Sequence, residues 1–298
     1  MDALQNETVE YSIWKSKGYD AFIDEWFLMS SPVPVLSIMS AYLLFVLKLG
    51  PDYMKKRPPF NLNNLLVVYN FVQVLVSAFI VYIGLELILP HGILSSVCEL
   101  DKAKIVPLAT GIYYYFSAKV SELLDTVFFV LRKKYNQVTF LHVYHHAIML
   151  MSTWYTLKYE PTYTIVFLGT LNSFVHVVMY SYYALSTFPE LSKYLWWKKY
   201  ITSMQLIQFL AIIVQVSANY FMSGCPPSMF LMNVVLGNTC LMIYLFGDFY
   251  VKSYLKNKAD KAEKENTHKN SKANGAKTND VKFTDGISNN NRLHEKSL

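Results

Sequence analysis

The sequence predicts an all-α, polytopic membrane protein with seven transmembrane helices, and three observations carry that prediction. Of the 298 residues, 53% are hydrophobic and 16% are charged, well below the ~25% charged residues of ordinary soluble domains. The apolar residues gather into seven runs, each long enough to cross ~30 Å of hydrocarbon. These runs carry few helix-breakers in their centres, and lipid favours helices because they pair every backbone group internally.

The seven runs are 31–49, 65–89, 107–131, 138–158, 163–185, 201–222 and 229–251. Residues 1–30 precede them as a lumenal segment with six Asp/Glu against two Lys and no apolar core. That segment does not read as a cleavable signal peptide, so the first run is expected to direct insertion. Gly50-Pro51 and Pro58-Pro59 punctuate the loop after span 1. Residues 31–251 are expected to form one seven-helix membrane domain. Residues 252–298, with 11 basic and 6 acidic side chains and few apolar ones, read as a disordered cytosolic tail. The tail holds most of the net charge of +6. No soluble basic domain surrounds the remaining cations, which argues against nucleic-acid binding.

Lysine and arginine set the orientation. Lys48, Lys55, Lys56 and Arg57 follow span 1, Arg132, Lys133 and Lys134 follow span 3, and Lys193, Lys198 and Lys199 follow span 5. The opposite side carries Lys15, Lys17, Lys102, Lys104 and Lys158. This places the N-terminus in the lumen and the C-terminus in the cytosol. Asn6, in the sequon Asn6-Glu7-Thr8, then lies on the side where N-glycosylation occurs. Cys98 and Cys225 fall in loops on the same oxidising side, where a disulfide between them is plausible. Cys240, inside span 7, reads as a small buried hydrophobe.

Spans 3 to 6 carry the residues that point to chemistry. Lys119, Glu122 and Asp125 recur at i, i+3 and i+6 in span 3. Charges on one stripe of a membrane helix must pair or face a wet cavity, and an internal salt-bridge network is the structural alternative. His142, His145 and His146 open span 4 within one arc of about 100°. One histidine on an apolar face is ordinarily a satisfied core residue, but three in a membrane segment signal a site. At 1.5 Å per residue, His145 lies roughly 10 Å and His176 roughly 13 Å from the cytosolic ends of their spans. Glu122, Asp125, Asn172, Gln205 and Gln208 fall at similar depth, so four helices converge on a single site.

Two chemistries suit such a cluster. One is a metal ion held by His142, His145, His146 and His176, with Glu122 and Asp125 as carboxylate ligands, as in a metal-dependent lipid oxidase or hydroxylase. The other is covalent: a neutral imidazole accepts an acyl group, a second histidine moves the proton, and Lys119 with the amides stabilises developing negative charge. A seven-helix receptor is a remote third reading, since it gives the histidines and charges no use.

Four blocks carry a resemblance: KVSELLDT at 119–126, QVTFLHVYHH at 137–146, NSFVHVVMYSYY at 172–183 and TSMQLIQF at 202–209. In this order they resemble the signature blocks of the very-long-chain fatty acid elongases, the condensing enzymes (3-oxoacyl-CoA synthases) of the endoplasmic reticulum. The resemblance covers roughly residues 25–255. It implies that helices 2–7 enclose a tunnel for the acyl chain. It also implies condensation of a long-chain acyl-CoA with malonyl-CoA to a 3-oxoacyl-CoA two carbons longer, with release of CO2 and CoA. Ping-pong chemistry without an obligatory metal or other cofactor would make His145 the nucleophile, with His146 and His176 handling protons and decarboxylation and His142 shaping the site. Arg132, Lys133, Lys134, Lys198 and Lys199 would receive the CoA phosphates, although the positive-inside rule alone accounts for them as well. Tyr180, Tyr182 and Tyr183 would line the tunnel, with helix packing as the alternative. The partners expected are these two substrates, membrane lipid, the other enzymes of the cycle and a second copy of the chain. Lys296 resembles half of a dilysine retrieval signal, so residence in the endoplasmic reticulum rests mainly on the resemblance.

Overall fold

The computed structural model describes residues 19–94, 102–224 and 226–256. Asn6, Cys98, Cys225 and most of the tail lie outside the described residues. Contacts divide the chain into two units, Met1–Phe246 and Gly247–Leu298.

The described residues are helical without a strand. A short α1 (Ala21–Asp24) is capped by the Asp20 carboxylate, which accepts from the Phe22 N–H. α2 (Pro32–Leu44) starts on a proline, runs through a π-helical turn at Phe45–Leu49 and continues as α3 (Gly50–Met54). The long helices α4 (Asn63–His91), α5 (Lys102–Leu131), α6 (Phe140–Tyr159) and α7 (Tyr163–Ser186) follow. A four-residue α8 (Pro189–Ser192) leads to α9 (Lys198–Met222) and α10 (Met229–Tyr250). In the second unit, Val251–Lys256 is a π-helical turn, and the Tyr250 and Phe249 rings pack on Tyr254.

Local chemistry sets the ends that position the site. The Thr139 hydroxyl accepts from the His142 N–H and starts α6 directly before the histidines. Lys133, at φ 55°, closes α5, and the Lys134 N–H reaches back to the Phe129 carbonyl at 2.8 Å. α4 ends at Gly92, whose φ of 76° suits a residue without Cβ.

α4 and α7 share the most extensive interface, and α5 packs on α4, α6 and α7. α7 also packs on α9, while α2 meets α6. Met232, Val235 and Leu236 of α10 cluster with Phe209, Ile212 and Val216 of α9 and with Leu141 and Tyr144 of α6. The segment before α2 is pinned to α6. The fully buried Lys158 ammonium donates to the Asp24 carboxylate and the Met29 carbonyl, both at 2.6 Å, and the Trp154 indole N–H donates to the Leu28 carbonyl. Lys158 is thus an internal tether, not the loop charge that orientation counting assumes.

Among the described residues, five helices are long and apolar enough to cross a membrane: Pro32–Met54, Asn63–His91, Tyr163–Ser186, Lys198–Met222 and Met229–Leu255. The chain is accordingly a multi-pass membrane protein, with outward residues such as Val68, Leu75, Ile207, Val214 and Phe230 suited to lipid. The sequence predicts seven spans. The two beyond these five are α5 and α6, whose 30 and 20 residues reach about 45 and 30 Å. Their length suffices; their composition is diluted by Lys119, Glu122, Asp125 and the three histidines. Cys240 corrects another expectation: it is exposed on α10, not buried. Lipid satisfies an apolar side chain as well as a protein core does, so nothing forces it inward.

Candidate active site

The charged stripe of α5 is buried, and it is paired. The Lys119 ammonium lies 2.8 and 2.9 Å from the two Glu122 oxygens and 2.9 Å from Asn172 Oδ1 on α7. Lys119 and Glu122 are each only 2% exposed. Asn172 Oδ1 also accepts from the Tyr115 hydroxyl at 2.9 Å, and the Lys119 ammonium sits 4.8 Å from the Tyr115 ring centroid. Spacing of three along α5 brings lysine and glutamate together on one face, and burial makes that pairing obligatory.

Glu122 also holds His176, whose Nδ1 lies 3.0 Å from Oε1. A carboxylate can only accept, so Nδ1 carries the proton and Nε2 is left to take up or release another. One turn beyond Glu122 along α5, the Asp125 carboxylate accepts from the fully buried Tyr180 hydroxyl at 2.7 Å. The Tyr180 ring lies edge-on to His176, with centroids 5.6 Å apart.

On α6, His142 Nε2 is 3.0 Å from the Thr126 hydroxyl oxygen. The His142 and His146 rings meet edge-on at 4.4 Å, and His145 and His146 at 5.6 Å. His145 Nδ1 is buried with no hydrogen-bond partner among the described residues, and so is Gln208 Oε1 on α9. Buried polar atoms ordinarily find partners. Gln73 Oε1 on α4 is a third such atom, so uncommitted polar groups face the centre from α4, α6 and α9.

The structure thus brings Lys119, Glu122, Asp125, Asn172, His176 and Tyr180 into one network, with His142, His145 and His146 ring to ring beside one another. Gln205 instead directs its amide toward the Met179 sulfur at 3.9 Å. Tyr183 packs on Tyr180 and Tyr182 and is partly exposed. Arg132 and Lys133 lie at the end of α5, where the Arg132 guanidinium reaches Asn63 at 3.5 Å. Lys134, Lys198 and Lys199 are exposed. Among the described residues no group of three or more His, Cys, Asp or Glu is arranged to hold a metal ion.

Sequence reasoning missed Tyr115, Tyr42 and Gln73. The Tyr42 hydroxyl on α2 lies 2.8 Å from the Thr126 oxygen, and the Gln73 amide donates to the Ser121 hydroxyl at 2.9 Å. Polar groups inside apolar runs were the available signal, since each must find a partner there.

Next to the charged centre, α4, α5 and α7 line a small apolar crevice of about 20 Å³, room for roughly one water-sized group. Ile80, Leu87, Ile112 and Val166 supply apolar walls, and Gly84, Gly111 and Gly169 let Thr170, Leu87 and the Tyr115 ring approach closely around it. Tyr115 belongs to both places: its ring lines the crevice and its hydroxyl joins the charged network.

Residues 27–262 match the family described as ELO: GNS1/SUR4 family. The chain is 42% identical over 263 residues to human very long chain fatty acid elongase 4, covering 87% of this chain and 83% of the relative. It is 40% identical over 260 residues to very long chain fatty acid elongase 7 of Drosophila melanogaster, covering 85% and 79%. Mouse very long chain fatty acid elongase 2 is 42% identical over 263 residues, covering 84% and 86%.

Proposed function

The chain belongs to the ELO (GNS1/SUR4) family, and from the site it carries we propose that it elongates fatty acids as a 3-oxoacyl-CoA synthase. It condenses a long-chain acyl-CoA with malonyl-CoA in the membrane of the endoplasmic reticulum, with seven spanning helices, a lumenal N-terminus and a cytosolic C-terminus. The observation that carries this reading is the contrast at the centre. Lys119, Glu122, Asp125, Asn172, His142 and His176 are all hydrogen-bonded within the protein, whereas His145 presents a buried ring nitrogen without a partner among the described residues.

A neutral imidazole of that kind is a competent nucleophile. His145 attacks the thioester carbonyl of acyl-CoA, the carbon–sulfur bond breaks, and CoA leaves with a proton. Malonyl-CoA then loses CO2, and the electron pair of the broken carbon–carbon bond remains on its α-carbon as an enolate. That carbon attacks the acyl-imidazole, the carbon–nitrogen bond breaks, and the departing His145 nitrogen takes up one proton from solvent by way of His176, so that His145 returns to its neutral form as 3-oxoacyl-CoA is released. His176, oriented by Glu122, carries the proton at Nε2. Lys119 and the Gln208 amide stabilise developing negative charge. The small apolar crevice beside Tyr115 marks the path of the acyl chain, where apolar walls suit a hydrocarbon. The basic residues at the end of α5 and the start of α9 receive CoA phosphates. No resident cofactor enters this sequence of steps.

Membranes carrying the chain, given labelled malonyl-CoA and saturated acyl-CoAs of graded length, should form products two carbons longer. Absence of any extended product with the protein present overturns the assignment. His145→Ala should abolish both condensation and a trapped acyl-enzyme, and an acyl-enzyme retained by that variant would move the nucleophile elsewhere.

A further inference from the structure

We propose that Tyr42, on the first membrane helix, is a positioning residue of the active site that acts through Thr126 to hold His142 in a single neutral tautomer, with its proton on Nδ1. This role rests on the condensing function for its catalytic meaning but not for its geometry.

Three helices meet at one hydroxyl. Thr126 Oγ1 on α5 lies 2.8 Å from the Tyr42 hydroxyl on α2 and 3.0 Å from His142 Nε2 on α6. Thr126 is fully buried and Tyr42 is 5% exposed. Neither hydroxyl has another hydrogen bond among the described residues. Each hydroxyl has one proton to place, and burial makes an unplaced proton costly. One arrangement uses both protons: the Tyr42 O–H donates to Thr126, and the Thr126 O–H donates to His142 Nε2. His142 Nε2 must then be the acceptor, and the ring proton sits on Nδ1, on the open side of a half-buried ring where, unlike the tyrosine proton, it is not sealed in by protein. In the reverse direction His142 would donate to Thr126 and Thr126 to Tyr42, leaving the tyrosine proton without an acceptor in an apolar setting.

The His142 ring is edge-on to His146 at 4.4 Å, and His146 is edge-on to His145. A His142 that changed tautomer would reverse the dipole presented to that stack. The Tyr42–Thr126 pair prevents this, which gives α2 a duty beyond anchoring the chain. The tether between Lys158 and the segment before α2 fixes the position from which Tyr42 reaches in.

Tyr42→Phe keeps the ring and removes the hydroxyl, leaving the Thr126 proton free to turn away from His142. The full chain, labelled with 15N-histidine and solubilised in detergent, reports the tautomer directly, with His142 signals assigned by their loss in His142→Gln. The wild type should show one neutral His142 form protonated at Nδ1, whereas Tyr42→Phe and Thr126→Val should add the Nε2-protonated form. Thr126→Ser retains the hydroxyl and should restore the single form. In the condensation assay, Tyr42→Phe should lower kcat about 3- to 10-fold, the scale of one neutral hydrogen bond, with KM for acyl-CoA unchanged. A single Nδ1-protonated His142 in Tyr42→Phe, or a Thr126→Ser as impaired as Thr126→Val, overturns the proposal. A wild type that does not condense while the tautomers respond as described would overturn the reaction and leave the positioning role standing.

Discussion

The charged centre and the apolar crevice adjoin at Tyr115, yet they are specified by opposite means. The centre is defined by side chains that must find partners: the Lys119 ammonium lies within 2.9 Å of both Glu122 and Asn172. The crevice is defined by side chains that are missing, at Gly84, Gly111 and Gly169. The first kind of site resists change because any lost partner strands a buried charge. The second responds according to what each glycine faces, because added volume must displace whatever packs there.

The largest effect is expected at Lys119. Lys119→Met removes the cation from Glu122 and leaves a buried carboxylate with His176 alone. Breaking a buried pair on one side costs about 3–5 kcal/mol. Thermal unfolding in detergent should show a large loss, and adding Glu122→Gln to Lys119→Met should recover some of it. A loss below about 1 kcal/mol, the scale of an exposed pair, would mean that the centre is wetter than its burial implies.

The glycines should separate into two behaviours. A Cβ at Gly84 would collide with Thr170 on α7, including its Cβ at 2.9 Å, so Gly84→Ala must push α4 and α7 apart. Overpacking of this kind costs about 1–3 kcal/mol. A Cβ at Gly111 would meet Leu87 Cδ1 at 2.9 Å, the far end of a flexible side chain, and Ile83 Cγ2 at 3.3 Å, where a shift of a few tenths of an ångström suffices. The Leu87 end can swing into the crevice. Gly111→Ala should therefore keep near-wild stability while the longest acyl-CoA extended becomes shorter by about one or two carbons, in line with the close packing of interiors. An unchanged product profile would remove the crevice from the path of the acyl chain.

This contrast also governs what the sequence made legible. Helix class, the stripe of α5 and the convergence of Glu122, Asn172 and His176 followed from periodicity and depth, because charges in a membrane helix are too expensive to be incidental. Tyr42 and Tyr115 were not legible: the chain has 23 tyrosines, and among the described ones many, such as Tyr53, Tyr82 and Tyr244, lie on the surface while Tyr42 and Tyr115 are buried. Which hydroxyl completes a network depends on contacts between helices distant in sequence, such as Tyr42 with Thr126. Gln205 shows the converse, since correct depth on α9 did not give it a charged partner. The crevice left no trace, because a glycine in a long helix announces close approach without saying to what.

The smallest effect is expected at the exposed cations. Lys198 and Lys199 stand at the start of α9 in solvent, where the Lys199 ammonium sits 4.8 Å from the Tyr200 ring centroid. The same residues serve either insertion of the chain or capture of CoA phosphates. Exposed charges contribute about 0.2–1 kcal/mol each, and salt screens them. Replacing both by Gln should raise KM for acyl-CoA and malonyl-CoA by about 2- to 10-fold at low salt, leave kcat unchanged, and lose its effect near 1 M salt, where the Debye length falls to about 3 Å. A KM insensitive to both substitutions would assign these lysines to insertion alone. It would also place phosphate recognition at Arg132, Lys133 and Lys134, the other basic group of the same expected face.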